Sequence, residues 1–222
     1  MIEPKRITVF VGYYGSGKTE LAVNYALMLR KMGKEVVIVD FDIVNPYFRT
    51  KDAEQILKQH GIEVIAPEFA NSNIENPALP AEIYSVFTNR EKYVVFDVGG
   101  GEDGTIPLGR YYPYFKQEEC DVFFVLNERR LLTADLEGAQ EAFEEIAAVA
   151  RMPITALINN THLKEDTTPE IIMEGQRLTE QVAQKLGLPV AYISGTPENL
   201  AGLPAVYENM KFPLQLYINL MF

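Results

Sequence analysis

The chain reads as a three-layer α/β protein, a mainly parallel sheet with helices on both faces. Three observations predict it. Apolar, β-rich runs alternate with amphipathic runs of helical spacing along the 222 residues. A glycine-rich turn separates the first strand-like run from the first helical one. Aspartates and asparagines stand where later strand-like runs end, and ligands of parallel sheets bind at the carboxyl ends of strands.

The elements follow in order. Residues 6–11 are β-rich and read as a buried strand. Residues 19–30 carry apolar side chains at helical spacing, and Gly33 supplies a stop. Residues 35–40 are a second strand. A helix over 51–59 ends at Gly61, and 62–65 is a short strand. Residues 66–80, rich in Pro and Asn, read as a loop. Residues 81–89 look helical, and 93–98 and 122–126 are strands. An Ala- and Glu-rich helix over 134–151 is followed by Pro153 and a strand at 154–158. The helix at 170–186 is closed by Gly187, and 189–193 is the last short strand. No repeat, low-complexity tract or linker interrupts the pattern, so residues 1–222 are expected to form one domain.

Composition excludes some classes. Hydrophobic residues make up 47% and charged residues 23%, as in soluble globular proteins. The net charge of −11 argues against nucleic-acid binding, which needs a basic surface to displace counterions. It argues equally against docking on anionic lipid. Cys120 is the one cysteine, which excludes an intramolecular disulfide or a multi-cysteine metal site within one chain. His60 and His162 leave little for a metal cluster. The first residues show no signal-peptide pattern, so a cytoplasmic location is expected.

The turn at residues 12–19, Gly-Tyr-Tyr-Gly-Ser-Gly-Lys-Thr, fits G-x-x-x-x-G-K-[ST], the phosphate-binding P-loop. Gly12, Gly15 and Gly17 let the backbone curl into a nest of N–H groups around phosphate, and Ser16 and Glu20 belong to the same binding stretch. Lys18 reaches the β- and γ-phosphates and stabilises transferred charge. The Thr19 hydroxyl is a Mg²⁺ ligand. Asp40 ends the second strand with Asp42 two residues on, and Asp97 ends the fourth. Each could be a strand-end turn residue, but beside a P-loop Asp97 reads as a carboxylate delivered to the Mg²⁺ shell, and at least one of Asp40 and Asp42 as functional. Gly100 offers an N–H to the γ-phosphate, and the glycine-rich stretch 99–104 reads as a mobile switch.

On these residues the chain resembles the MinD/ParA-like branch of P-loop NTPases, the CobQ/CobB/MinD/ParA nucleotide-binding group. The resemblance covers the chain in outline. It implies that Asp42 orients the attacking water, that Asp40 joins the Mg²⁺ shell, and that Asp97 holds Mg²⁺ through water. It also implies a homodimer. The family's extra P-loop lysine is Tyr13 here, which puts activation by a lysine from the partner in doubt; Arg110 and Arg49 are the substitutes considered. An asparagine at the end of the 154–158 strand hydrogen-bonds the nucleobase in similar proteins. Asn159 is the expected contact, with Asn160 beside it, and the loop at 194–199, including Pro197, is expected to edge the base pocket. No N-K-x-D run follows, so ATP is favoured and GTP is the alternative.

Two aromatic patches, 45–49 and 111–115, stand beside the two switches and read as a protein-partner surface. The apolar tail 212–222 lacks the Lys/Arg face of a membrane-targeting helix and is expected to dock on the domain. The expected activity is a Mg²⁺-dependent ATPase acting as a switch for a protein partner. One alternative is an ATP-dependent transferase or ligase of the dethiobiotin synthetase or cobyrinate amidase type, but no Lys/Arg cluster near the motifs suits an acidic substrate. The other is a metallocentre-maturation NTPase, against which the missing cysteine pair counts.

Overall fold

The computed structural model describes residues 3–42, 53–67 and 80–218. Its centre is an eight-stranded sheet, β1 (Ile7–Gly12), β2 (Val36–Phe41), β3 (Glu63–Ile65), β4 (Tyr93–Val98), β5 (Cys120–Leu126), β6 (Ala156–Asn159), β7 (Val190–Gly195) and β8 (Lys211–Pro213), in the order β3-β2-β4-β1-β5-β6-β7-β8. Every pairing is parallel. All carboxyl ends therefore share one edge, and β1, with the glycine-rich turn at its end, lies between β4 and β5.

Strand alternation divides the core. Ile7, Val9 and Val11 of β1 face one side with Val94, Phe96, Val122 and Phe124. On that side pack α3 (Ser85–Thr88), α5 (Tyr112–Phe115), α6 (Leu136–Ala150) and α7 (Pro169–Leu186). Phe10 faces the other side with Ile38, Val95, Phe123 and Ile158, under α1 (Lys18–Lys31) and α2 (Glu54–Gln59). Near-continuous apolar runs are what a sheet covered on both faces requires.

Helix ends follow local chemistry. Asp135 caps α6 by accepting from Gly138 N at 2.9 Å, and Thr168 caps α7 ahead of Pro169. Gly187 ends α7 at φ 68°.

The structure departs from the sequence reading in three places. The stretch expected as a mobile glycine switch forms α4 (Gly101–Thr105), where Thr105 Oγ1 donates to Gly101 O at 2.7 Å. The aromatic run 111–115 is largely core. Tyr111 and Phe115 are buried against Tyr84, Phe87 and Phe96, and Tyr114 alone of the run's aromatics is well exposed. β8 was missed, being three residues long and ending in Pro213; an edge strand tolerates that proline. The 45–49 patch, with Arg49, lies outside the described residues.

The tail beyond β8 docks on α1. Asn24 Nδ2 donates to Gln215 O, and Gln215 N donates to Asn24 Oδ1, both at 2.9 Å. Short α8 (Pro197–Ala201) follows β7. Among the described residues no helix is long and apolar enough to cross a membrane.

Candidate nucleotide site

The turn after β1 takes the shape its glycines predict. Gly12, Gly15 and Gly17 adopt φ of 151°, 70° and 85°, values open to glycine. Gly12 also passes close to β5, where a Cβ would come within 2.5 Å of Val125 O. Three of the loop carbonyls are held by side chains. Lys18 Nζ donates to Tyr13 O at 3.0 Å, Arg130 Nε to Gly15 O at 2.8 Å, and Asn160 Nδ2 to Ser16 O at 2.6 Å. In a planar trans peptide N–H opposes C=O. Fixing the Ser16 carbonyl outward therefore turns the Gly17 N–H inward, toward the concave side, which is the polarity an anion site needs.

Strand register assembles the carboxylates. Asp40 of β2 pairs directly with Asp97 of β4, and Asp97 pairs with Phe10 of β1. Asp40 and Asp97 are both buried. Asp42 N donates to Asp40 Oδ1 at 3.2 Å, an Asx-type turn that carries the chain over the sheet edge. Asp42 lies over Gly99, where a Cβ would meet its Oδ1 at 2.8 Å. Lys18 starts α1, and burial pushes its ammonium down to about 8 while the charges of Asp97 and Asp42 pull it back up. Lys18, Asp42 and Asp97 are thus within electrostatic reach of one another, with Asp40 next to Asp97.

Thr19, the second residue of α1, is half-buried at the same edge. One hydroxyl and two carboxylates are hard oxygen donors, which suits Mg²⁺. No group of three or more His, Cys, Asp or Glu that could hold a metal occurs among the described residues.

Tyr14 joins the loop to the second glycine stretch. A Cβ on Gly100 would lie 2.5 Å from its ring, and one on Gly101 3.0 Å. Burial raises the Tyr14 phenol, and the charges of Asp103 and Asp42 add to the rise. Gly100 stands as the N-cap of α4 under this ring. Tyr13 packs partly on the core, edge-on to Tyr14 at 5.4 Å between ring centres.

Three expected residues take other positions. Asn159 is fully buried, and Nδ2 donates to Ile172 O and Gln176 Oε1 while Oδ1 accepts from Thr161 N. Its carboxamide is consumed in anchoring α7 and does not face a base pocket. Asn160 instead bridges Ser16 to Ser194, whose Oγ donates to Asn160 Oδ1 at 2.6 Å. Glu20 faces the tail, accepting from Tyr217 N at 2.8 Å and Ile218 N at 3.1 Å, and burial raises its carboxyl against those bonds. Pro197 lines a groove of about 360 Å³ with Asn24, Met28, Phe212 and Tyr217. Arg110 is exposed and donates to Tyr84 Oη at 3.1 Å. Cys120 begins β5, at the sheet end opposite the loop, and burial pushes its thiol up to about 12.

Sequence reasoning missed Arg130 and His162. A Cβ on Gly17 would lie 3.4 Å from His162 Nε2. Burial holds this imidazole down to about 4, with Arg130 and Lys164 adding positive charge.

No protein-family model and no curated protein matches the chain. Solved structures do. FtsY of Thermotoga maritima is 19% identical with a TM-score of 0.57, over 87% of this chain and 63% of that one. The 54 kDa signal recognition particle protein of Aeropyrum pernix, solved with GDP, is 20% identical with a TM-score of 0.58, over 95% and 47%. Chloroplast FtsY of Physcomitrella patens is 16% identical with a TM-score of 0.57, over 90% and 61%. The chain therefore spans less than two thirds of these neighbours' lengths. At such identities the likeness shows the fold, and the fold is that of P-loop NTPases.

Proposed function

We propose that the protein is a Mg²⁺-dependent nucleoside triphosphatase that acts as a nucleotide switch for a protein partner. The observation that carries this is the convergence of Lys18, Asp42 and Asp97 at one rim of a preformed phosphate loop. Backbone N–H groups of Gly15 to Thr19 cradle the phosphates. Lys18 leaves the Tyr13 carbonyl to neutralise the transferred phosphoryl group. Asp42 orients the attacking water. Thr19, Asp40 and Asp97 would hold Mg²⁺, which supplies charge neutralisation on the phosphates when bound.

The MinD/ParA-like assignment rests on the sequence motifs, whereas the structural neighbours named above are FtsY proteins and a 54 kDa signal recognition particle protein. ATP is the substrate the sequence argues for, because the residues after β6 contain no N-K-x-D or T-K-x-D run. GTP is the competing substrate, and the Aeropyrum neighbour carries GDP. The partner would meet the rim bearing Tyr14 and α4, in a cytoplasmic setting. The metallocentre reading is weakened by Cys120, which lies at the far end of the sheet.

The test is phosphate release from Mg²⁺-ATP and Mg²⁺-GTP by purified protein, with Lys18→Ala as control. Slow turnover that falls about 100-fold in the variant is expected. Tight nucleotide binding with no release would overturn the hydrolase reading in favour of a transferase lacking its acceptor.

A further inference from the structure

The carbonyl of Gly15, at the exposed crest of the phosphate loop, is held by a side chain from far along the chain. Arg130 Nε donates to it at 2.8 Å across 115 residues. The guanidinium lies close against the glycine. A Cβ there would meet Nε at 3.0 Å and Cζ at 3.3 Å.

The loop that carries Arg130 is fixed from inside. Asn127, at the end of β5, is fully buried, and its Oδ1 accepts from Arg129 N at 3.0 Å and His162 N at 3.3 Å. Arg130 N donates to Asn127 O at 3.1 Å, and Thr133 Oγ1 donates to the same carbonyl at 2.7 Å. Arg130 is therefore placed by structure and does not arrive by chance rotation of a surface side chain.

Two adjacent arginines are used differently. Arg129 forms ion pairs with Glu128 and Glu174. Among the described residues Arg130 forms none, although the chain carries a net charge of −11. A permanent cation at the rim of an anion site, with no carboxylate against it among the described residues, is matched by an anionic ligand. Nε is spent on Gly15, which leaves the two terminal NH₂ groups to donate. The charge also reaches His162 beside Gly17.

We propose that Arg130 contacts the phosphate chain of a nucleoside triphosphate held in the loop and stabilises the negative charge that grows there during hydrolysis. It takes the place left by Tyr13, where no cation is available. In that reaction water adds to the γ-phosphorus and gives up a proton to the phosphate oxygens and solvent, the bond from γ-phosphorus to the bridging oxygen breaks, and the diphosphate leaves with the electron pair. Arg130 makes and breaks no covalent bond. It meets the charge building on the bridging oxygen and β-phosphate. The inference rests on the nucleotide-hydrolase reading above.

The experiment compares wild type, Arg130→Gln, Arg130→Lys and Arg130→Ala, with Lys18→Ala alongside. Binding of fluorescent ATP and GTP analogues, single-turnover hydrolysis and thermal unfolding are measured on each. Arg130→Gln can still donate to the Gly15 carbonyl but has no charge. It is expected to unfold like wild type and to hydrolyse about tenfold or more slowly, with part of the rate restored in Arg130→Lys. Arg130→Gln hydrolysing within twofold of wild type would overturn the proposal, whatever Arg130→Ala does, because a neutral hydrogen bond would then suffice. The underlying reading fails separately: wild type with no Lys18-dependent nucleotide binding would remove it, and the role of Arg130 with it.

Discussion

At the scale of single residues, the phosphate loop is shaped as much by distant side chains as by its own glycines. Asn160 shows this. Its Nδ2 holds Ser16 O at 2.6 Å and its Oδ1 accepts from Ser194 Oγ at 2.6 Å, so it ties the loop to β7. Asn160→Ala would leave the Ser16 carbonyl without this partner, while the Ser194 hydroxyl keeps its bond to Asn159 O at 3.0 Å. Such a loss costs about 1–3 kcal/mol. Urea unfolding should show that loss, and nucleotide affinity should fall with it as the Ser16–Gly17 peptide loosens. Unchanged affinity in a destabilised protein would mean the loop holds its shape without the clamp. The placement of Lys18, Thr19 and the three aspartates at the carboxyl edge of the sheet was legible in the sequence because their spacing to a strand end is local. The sequence pointed to Asn159 ahead of Asn160, but adjacent strand-end asparagines differ in which way the backbone turns each one, and Asn159 is turned inward onto α7 while Asn160 reaches the loop. Arg130 was illegible for a stronger reason: its partner is 115 residues away, and only the β1–β5 pairing brings the two loops together.

At the scale of elements, strands and long helices were readable from period and stops, and short pieces were not. Gly187 and Pro169 bound α7 as their backbone preferences dictate. The 101–115 stretch escaped because α4 and α5 are only five and four residues long, too short for a period. Its aromatics looked like an interface, yet most of them fill the space over β4. The tail after β8 is an element of a similar kind, held by α1 more than by its own pattern. Glu20 accepts two of its backbone N–H groups, and Asn24 fixes Gln215 on both sides. Glu20→Ala should release residues 217–218 while leaving α1 intact, at a cost of about 1–2 kcal/mol. Hydrogen exchange and limited proteolysis would report it as protection lost in the tail alone. Equal protection in variant and wild type would show that Phe212 and Leu214 suffice to hold it.

At the scale of the whole molecule, β1 between β4 and β5 brings an acidic rim from one side and a cationic one from the other onto the same loop. Asp40 and Asp97 arrive from β2 and β4, Arg130 supplies the cation from the loop after β5, and His162, kept neutral by burial, comes beside it from the loop after β6. The cationic side has a consequence for acid stability. Burial, with Arg130 and Lys164 nearby, holds His162 at about 4 in the folded protein, against about 6.5 when exposed. A depressed folded pKa means the unfolded chain binds the proton first. The stability is therefore complete above pH 6.5 and is lost progressively as pH falls toward 4. The full shift would correspond to about 3 kcal/mol, and partial solvent access reduces the expected loss to about 1–2 kcal/mol. Glu20 and Asp121, whose carboxyls are raised mainly by burial, act in the opposite sense over part of this range. A comparison with His162→Asn cancels their contribution. Urea unfolding from pH 7.5 to 4.5 should show wild type losing stability more steeply than the variant below pH 6.5. Parallel curves would mean that His162 reaches solvent or a counter-charge when protonated, and that the cationic side of the rim does not control acid unfolding.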